Sequence, residues 1–179
     1  MNTLNQKDIR TLISEGNFNE VTNRYKKIVE IEPNNYKAYN NLGNALKELG
    51  KLEEAATSYR QAIKIKSDYT KAYFNLGNIL NDFGKFKEAI PILLLALKIN
   101  PNYSEAHNCL AISYKKLEKF EQAITHYKKA NTSESRAQIL QCFYTLKKTN
   151  EYSKYLSKLC REDPKNIKAA SISAFVSNQ

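Results

Sequence analysis

The chain has 179 residues and a formal net charge of +10, from 28 Lys and Arg against 18 Asp and Glu. That length suits one domain of ordinary size. No apolar run approaches the roughly 20 residues that a membrane span needs, the longest candidate (Ile90 to Ala96) being interrupted by Pro91.

In chain order, the first predicted unit is Asn2 to Asn35. Its second helix carries Gly16, Phe18, Val21, Tyr25, Ile28 and Pro33 at positions that later units reuse. Its first helix is irregular, with Asn5 and Asp8 where an aromatic and a Leu are expected. A polar exchange of that sort marks a capping unit, because one of its faces has no neighbour.

The second unit, 36–69, holds the clearest pattern, AYNNLGNALKELGKLEEAATSYRQAIKI from Ala38 to Ile65. It predicts two amphipathic helices joined by a tight turn at Gly50-Lys51. Tyr39, Leu42, Gly43, Leu46, Ala55, Tyr59 and Ala62 return 34 residues on as Tyr73, Leu76, Gly77, Leu80, Ala89, Leu93 and Ala96 in the third unit, 70–103. They return again as His107, Leu110, Ala111, Tyr114, Ala123, Tyr127 and Ala130 in the fourth, 104–135. Small residues at 43, 77 and 111 let neighbouring helices approach, and bulky replacements at 43 or 77 are expected to overpack that contact. Pro91 is expected near enough to a helix start to be tolerated with at most a slight kink.

After Ala130 the pattern slips at NTSESRAQ. The fifth unit, 136–163, is expected to hold helices at about 136–148 and 151–161, with Cys142, Phe143 and Leu146 inward on the first and Tyr152, Tyr155 and Leu159 on the second. A lone terminal helix, 164–177, would cover the last pair or open a sixth repeat of a longer parent chain.

An aromatic, then Leu-Gly, a large residue, then Ala, aromatic, Ala and Pro, in register over three successive units, resembles the tetratricopeptide repeat (TPR). The resemblance implies an all-α, right-handed superhelical solenoid of antiparallel helix pairs, with about five TPR units plus a C-terminal helix in a single domain, 1–179. It further implies a concave groove walled by the first helix of each pair. Transferred onto this sequence, the groove positions are Lys37, Asn40, Asn41, Asn44, Lys47 and Glu48, then Lys71, Phe74, Asn75, Asn78, Asn81 and Asp82. The fourth unit supplies Glu105, Asn108, Cys109, Ile112, Lys115 and Lys116.

Asn is a mediocre helix former, so its recurrence on these helices asks for a reason. An amide both donates and accepts, and a row of them can pair with an extended peptide backbone whatever its sequence. Asn41 with Asn75, and Asn44 with Asn78, resemble the asparagine ladder in the repeats of O-linked N-acetylglucosamine transferases, broken here at Cys109. Replacing Asn41 and Asn75 by Ala is expected to leave stability almost unchanged. The cationic clamp that other family members use on C-terminal carboxylates is not expected, since Glu105 would repel the ligand.

The function expected is therefore a protein-interaction scaffold binding an extended segment, with no enzyme activity, cofactor or metal. His107 takes an aromatic core position, and His126 is expected on the outer side of its helix without ligand-spaced partners. Bacterial sulfotransferases and glycosyltransferases carry similar N-terminal repeats, so a substrate-recruiting arm of a larger enzyme is one alternative. A basic nucleic-acid platform is another: residues 115–168 hold 13 basic against 6 acidic residues. The basic residues are mostly Lys interspersed with Glu, which favours a solvated face.

MNTLNQKDIR lacks the layout of a secretory signal. Cys109, Cys142 and Cys160 have no CxxC spacing and are expected as reduced, buried thiols of a cytoplasmic protein. Lys115, Lys116, Lys147 and Lys148 are expected on the concave side, where they would favour an acidic partner. Finally, Pro91, Leu94 and Leu95 stand where other units carry polar residues, marking a homodimer surface or one for another domain.

Overall fold

The computed structural model describes residues 8–162, and the terminal helix expected at 164–177 lies outside them. The described residues form ten α-helices. By packing, the chain divides into two compact units, Met1–Ile79 and Leu80–Gln179.

The first unit holds α1 (Ile9–Ser14), α2 (Phe18–Ile31), α3 (Tyr36–Glu48), α4 (Leu52–Ile65) and most of α5 (Thr70–Asp82), which crosses the boundary. Side-chain caps start α2 and α3: Asn17 accepts from the Glu20 amide at 3.3 Å, and Asn35 from that of Ala38 at 2.9 Å. Each bond satisfies one of the four orphan N–H groups at a helix start. One core cluster joins Leu12, Val21 and Ala45, with Ile9 and Tyr25 packed against it, and Leu42, Leu46, Leu76 and Ile79 are buried further along. Ala55, Tyr59 and Ala62 bury the inner face of α4.

The second unit holds α6 (Phe86–Ile99), α7 (Ser104–Lys116), α8 (Phe120–Ala130), α9 (Ser133–Thr145) and α10 (Thr149–Glu162), each packed on the next. Its core gathers Ala111, Ala123, Tyr127, Ile139, Leu140, Cys142 and Phe143 with Tyr152 and Leu159 of α10.

The turns between paired helices need a left-handed residue, which Gly50 and Gly84 provide at φ +71. Glu118 and Lys147 adopt the same conformation at φ 58 and 54 without being glycine.

Two expectations are corrected. Helix α9 begins at Ser133, three residues before Arg136, because Thr132 and Ser135 form a capping box. The Thr132 side chain accepts from the Ser135 amide at 3.0 Å, and Ser135 Oγ accepts from the Thr132 amide at 2.8 Å. The polar stretch that hides the repeat pattern is thus itself a helix start. Pro91 lies deeper than expected, at the sixth position of α6, beyond the orphan donors of the first turn. The helix nevertheless runs on to Ile99.

Candidate partner-binding face

In the first unit the expected groove residues fall on α3 and α5. Lys37, Asn44 and Lys71 are exposed, Asn41, Phe74, Asn75 and Asn78 half-buried, and Asn40 buried at 3% exposure. The amides bond to one another. Asn75 Nδ2 donates to Asn40 Oδ1 at 3.0 Å and to Asn44 Oδ1 at 3.2 Å. Tyr59 reaches across from α4 and donates its hydroxyl to Asn44 Oδ1 at 2.9 Å. Asn41 Nδ2 donates to the Tyr25 hydroxyl of α2 at 3.2 Å.

This network argues against the expectation that replacing Asn41 and Asn75 leaves stability almost unchanged. Asn75 satisfies the buried acceptor of Asn40, and removing it would leave that carbonyl unpaired. The network also has unspent capacity. Both N–H groups of Asn75 are used, while among the described residues nothing occupies Asn75 Oδ1 or Asn44 Nδ2. One acceptor and one donor remain, from neighbouring helices.

Beside them lies a cavity of about 470 Å³ lined by Ile13, Phe18, Val21 and Tyr25 with Asn41 and Asn44. Ile13 is 45% exposed. Sequence alone marks the divergent first unit as a cap and leaves this apolar wall unexpected. The register of Val21 and Tyr25 with later packing positions was the available signal.

In the second unit Asn108 and Lys115 are half-buried and Ile112 is 37% exposed. They border a cavity of about 150 Å³ with Tyr127, Glu134 and Gln138. Asn108 Oδ1 is buried and has no partner among the described residues. Lys115 Nζ donates to Gln138 Oε1 at 2.6 Å and to Gln141, and burial lowers its pKa. Asn81 donates to the Cys109 carbonyl at 3.0 Å and accepts from the Ser113 hydroxyl at 2.7 Å.

Lys147 and Lys148 are not on the face of α9. They lie in the turn after it, where Lys148 pairs with Glu121 at 3.4 Å. His126 is likewise not on an outer surface. It is half-buried, stacked on Tyr114 with ring centroids 5.6 Å apart. Its Nδ1 stands 3.0 Å from His107 Nδ1, and His107 Nε2 stands 2.9 Å from the Pro101 carbonyl. A carbonyl only accepts, so His107 carries its proton on Nε2, and its bare Nδ1 accepts from His126 Nδ1–H. Burial lowers both pKa values, that of His126 to about 4, helped by its neighbours His107 and Lys129.

Cys109 and Cys142 are buried thiols outside any disulfide, pushed up by burial to about 12 and about 11. Cys160 is exposed, contrary to expectation, because it lies outside the packing stripe of α10. Among the described residues no three His, Cys, Asp or Glu gather as metal ligands, and no helix is long and apolar enough to cross a membrane.

Ten helices in succession, with Gly43 facing Tyr59 in one pair and Ala111 in one core cluster with Tyr127 in another, define an all-α helical-repeat solenoid. Family models for the TPR repeat match residues 43–82, and others for the tetratricopeptide repeat match 25–57 with 92–125 and 70–103. The chain belongs to the tetratricopeptide repeat family.

Solved structures share the fold. MamA is 22% identical with a TM-score of 0.80, over 89% of this chain and 90% of its own. YrrB, described as a TPR protein with an unusual peptide-binding site, is 17% identical with a TM-score of 0.75, over 93% and 88%. PilF of Pseudomonas aeruginosa is 18% identical with a TM-score of 0.74, over 93% and 78%. Among curated proteins none matches.

Proposed function

We propose that the chain is a non-catalytic, cytoplasmic protein-interaction scaffold that holds an extended peptide segment against the α3 and α5 face of its first unit. The observation that carries this reading is the unspent pair on bonded asparagines, Asn44 Nδ2 and Asn75 Oδ1. A peptide group presents one acceptor and one donor, which this pair complements without reference to side chains. The network behind the pair holds it in place, so little side-chain freedom is lost on binding.

The cavity beside Asn41 and Asn44 takes a large apolar side chain of the same segment against Ile13, Phe18 and Tyr25. In the second unit Asn108 Oδ1 awaits a donor at the smaller cavity, with Ile112 and Lys115 alongside. The likeness to YrrB, described by its peptide-binding site, supports the same class of partner. The basic surface is partly spent internally, through Lys66 with Asp68, Lys148 with Glu121 and Lys158 with Glu162, which favours a protein partner over nucleic acid.

The test is to select binding peptides from a random displayed library against the full chain and map them by nitrogen-15 spectra. The side-chain amides of Asn44 and Asn75 should shift on binding, and Asn44→Ala should weaken the selected peptide about fivefold, the worth of one hydrogen bond. Selected peptides that shift neither amide would overturn the reading.

A further inference from the structure

The outer side chains Pro91, Leu94 and Leu95 of α6 are exposed, the leucines at 43% and 42%, but hold no polar group that would select a ligand. The turn between α9 and α10 differs. It borders a cavity of about 710 Å³, larger than those beside Asn44 and Asn108. Its walls include Phe143, Tyr144, Lys147, Lys148, Thr149 and Tyr152. Small-molecule sites fall in this range of volume, roughly 300–1,000 Å³, and pair apolar walls with a few placed polar groups.

Two of its polar groups are unspent. Tyr152 is 8% exposed, and its buried hydroxyl has no hydrogen-bond partner among the described residues. An unpaired buried hydroxyl is uncommon and marks a missing partner. Burial raises the Tyr152 pKa, so the phenol keeps its proton at neutral pH and has a donor to give. The second is Lys147, which is exposed and has no ion-pair partner among the described residues, whereas Lys148 is held by Glu121 at 3.4 Å. Lys147 also takes the left-handed backbone, φ 54, that Gly50 and Gly84 take in earlier turns. Strain of that kind persists where the side chain is needed.

The charges around the cavity have one sign. Among the described residues that line it none is acidic. Glu121 is spent on Lys148, and Glu151 leaves α10 on the side opposite Thr149, Tyr152 and Ser153, as does Lys154.

We propose that the cavity between the end of α9 and the start of α10 binds a small organic acid with an apolar body. Lys147 and the Tyr152 hydroxyl take its carboxylate, and Phe143 and Tyr144 take its body. Both donors favour an ionised acceptor, which binds such groups more strongly than a neutral one. The site belongs to the second unit and does not depend on peptide binding at the α3 and α5 face.

Titrating the full chain with octanoate, octanol and octylamine, followed by nitrogen-15 and aromatic proton spectra, tests the proposal. Octanoate should shift the Tyr152 ring and the amides from Lys147 to Ser153. Octanol should bind about tenfold more weakly and octylamine more weakly still, because each lacks the anion. Tyr152→Phe should weaken octanoate about fivefold, the worth of one hydrogen bond, without loss of melting temperature. Lys147→Gly should raise the melting temperature by relieving the backbone, yet weaken octanoate about tenfold. A purely structural Lys147 would not move the two readouts in opposite directions. Octanoate and octanol binding alike would overturn the proposal, leaving an apolar hollow without a carboxylate site. So would octanoate that shifts none of these residues, which would assign the cavity to the chain's own residues 163–179.

Discussion

The ring of Tyr59 occupies the space that a side chain at residue 43 would take. A Cβ placed on Gly43 would stand 2.5 Å from Tyr59 Cε1 and 2.9 Å from Cζ. Tyr59 is 1% exposed, and its hydroxyl is tied to Asn44, so the ring cannot swing away without breaking that bond. Gly43→Ala should therefore destabilise the protein by about 1–2 kcal/mol, the overpacking cost less the gain in helix propensity. Thermal unfolding of Gly43→Ala, Tyr59→Leu and the pair measures the coupling. The double variant should lose less than the sum, because Leu is shorter than Tyr and leaves room for the added methyl.

Stability should also respond to the amide network. Asn75→Ala leaves Asn40 Oδ1, on a residue 3% exposed, without its donor. The expected cost is about 1–3 kcal/mol, read as a lower urea midpoint at unchanged slope. Lys71→Ala on the same helix, where the side chain is exposed, should shift the midpoint little.

Two turns carry backbone strain that glycine would relieve. Glu118 and Lys147 hold positive φ where Gly50 and Gly84 stand in earlier pairs. Glu118→Gly should stabilise by about 1 kcal/mol, the typical penalty for a side chain in the left-handed region. A fall in melting temperature would show that the Glu118 side chain contributes more than its backbone costs.

The histidine pair sets a pH dependence. Both folded-state pKa values lie below the ordinary 6.5, so as pH falls the unfolded chain takes up protons first. Stability is then fully present above about pH 6.5 and declines as pH drops from there towards 4, where His126 titrates in the folded protein. Tyr114 stacks on His126, and Lys129 adds positive charge nearby, so a second proton between the rings is opposed from several sides. Urea midpoints at pH 7.5 and 5 should differ for the wild type and converge for His107→Tyr with His126→Gln. Equal wild-type midpoints would show that the pair protonates without loss.

Much of the fold was legible from residues alone. The 34-residue return of Leu42-Gly43, Ala55 and Tyr59 places paired helices and a left-handed turn, because only small residues tolerate that approach and glycine that φ. The alternation of apolar and polar positions likewise identified α6 as the helix with an unusual outer face. Where the pattern slipped, at Thr132 to Ser135, a local capping box set the helix start. Polar side chains serve turns and caps alike, so composition there could not tell the two apart.

The candidate site shows the same division. The sequence by itself determined which residues share the α3 and α5 face, since helical periodicity depends only on spacing. It could not reveal that Asn75 spends both its donors on Asn40 and Asn44, or that His126 turns inward to His107. Nor could it join Ile13 and Tyr25 to Asn41 in one cavity. Such pairings join residues 15 to 35 positions apart, and their geometry is set by how neighbouring helices pack. Periodicity says which way a side chain leaves its helix. Only the tertiary structure decides which group it meets, because hydrogen bonds hold over a few tenths of an ångström and the scatter in helix packing angles and separations moves a side-chain tip by more than that.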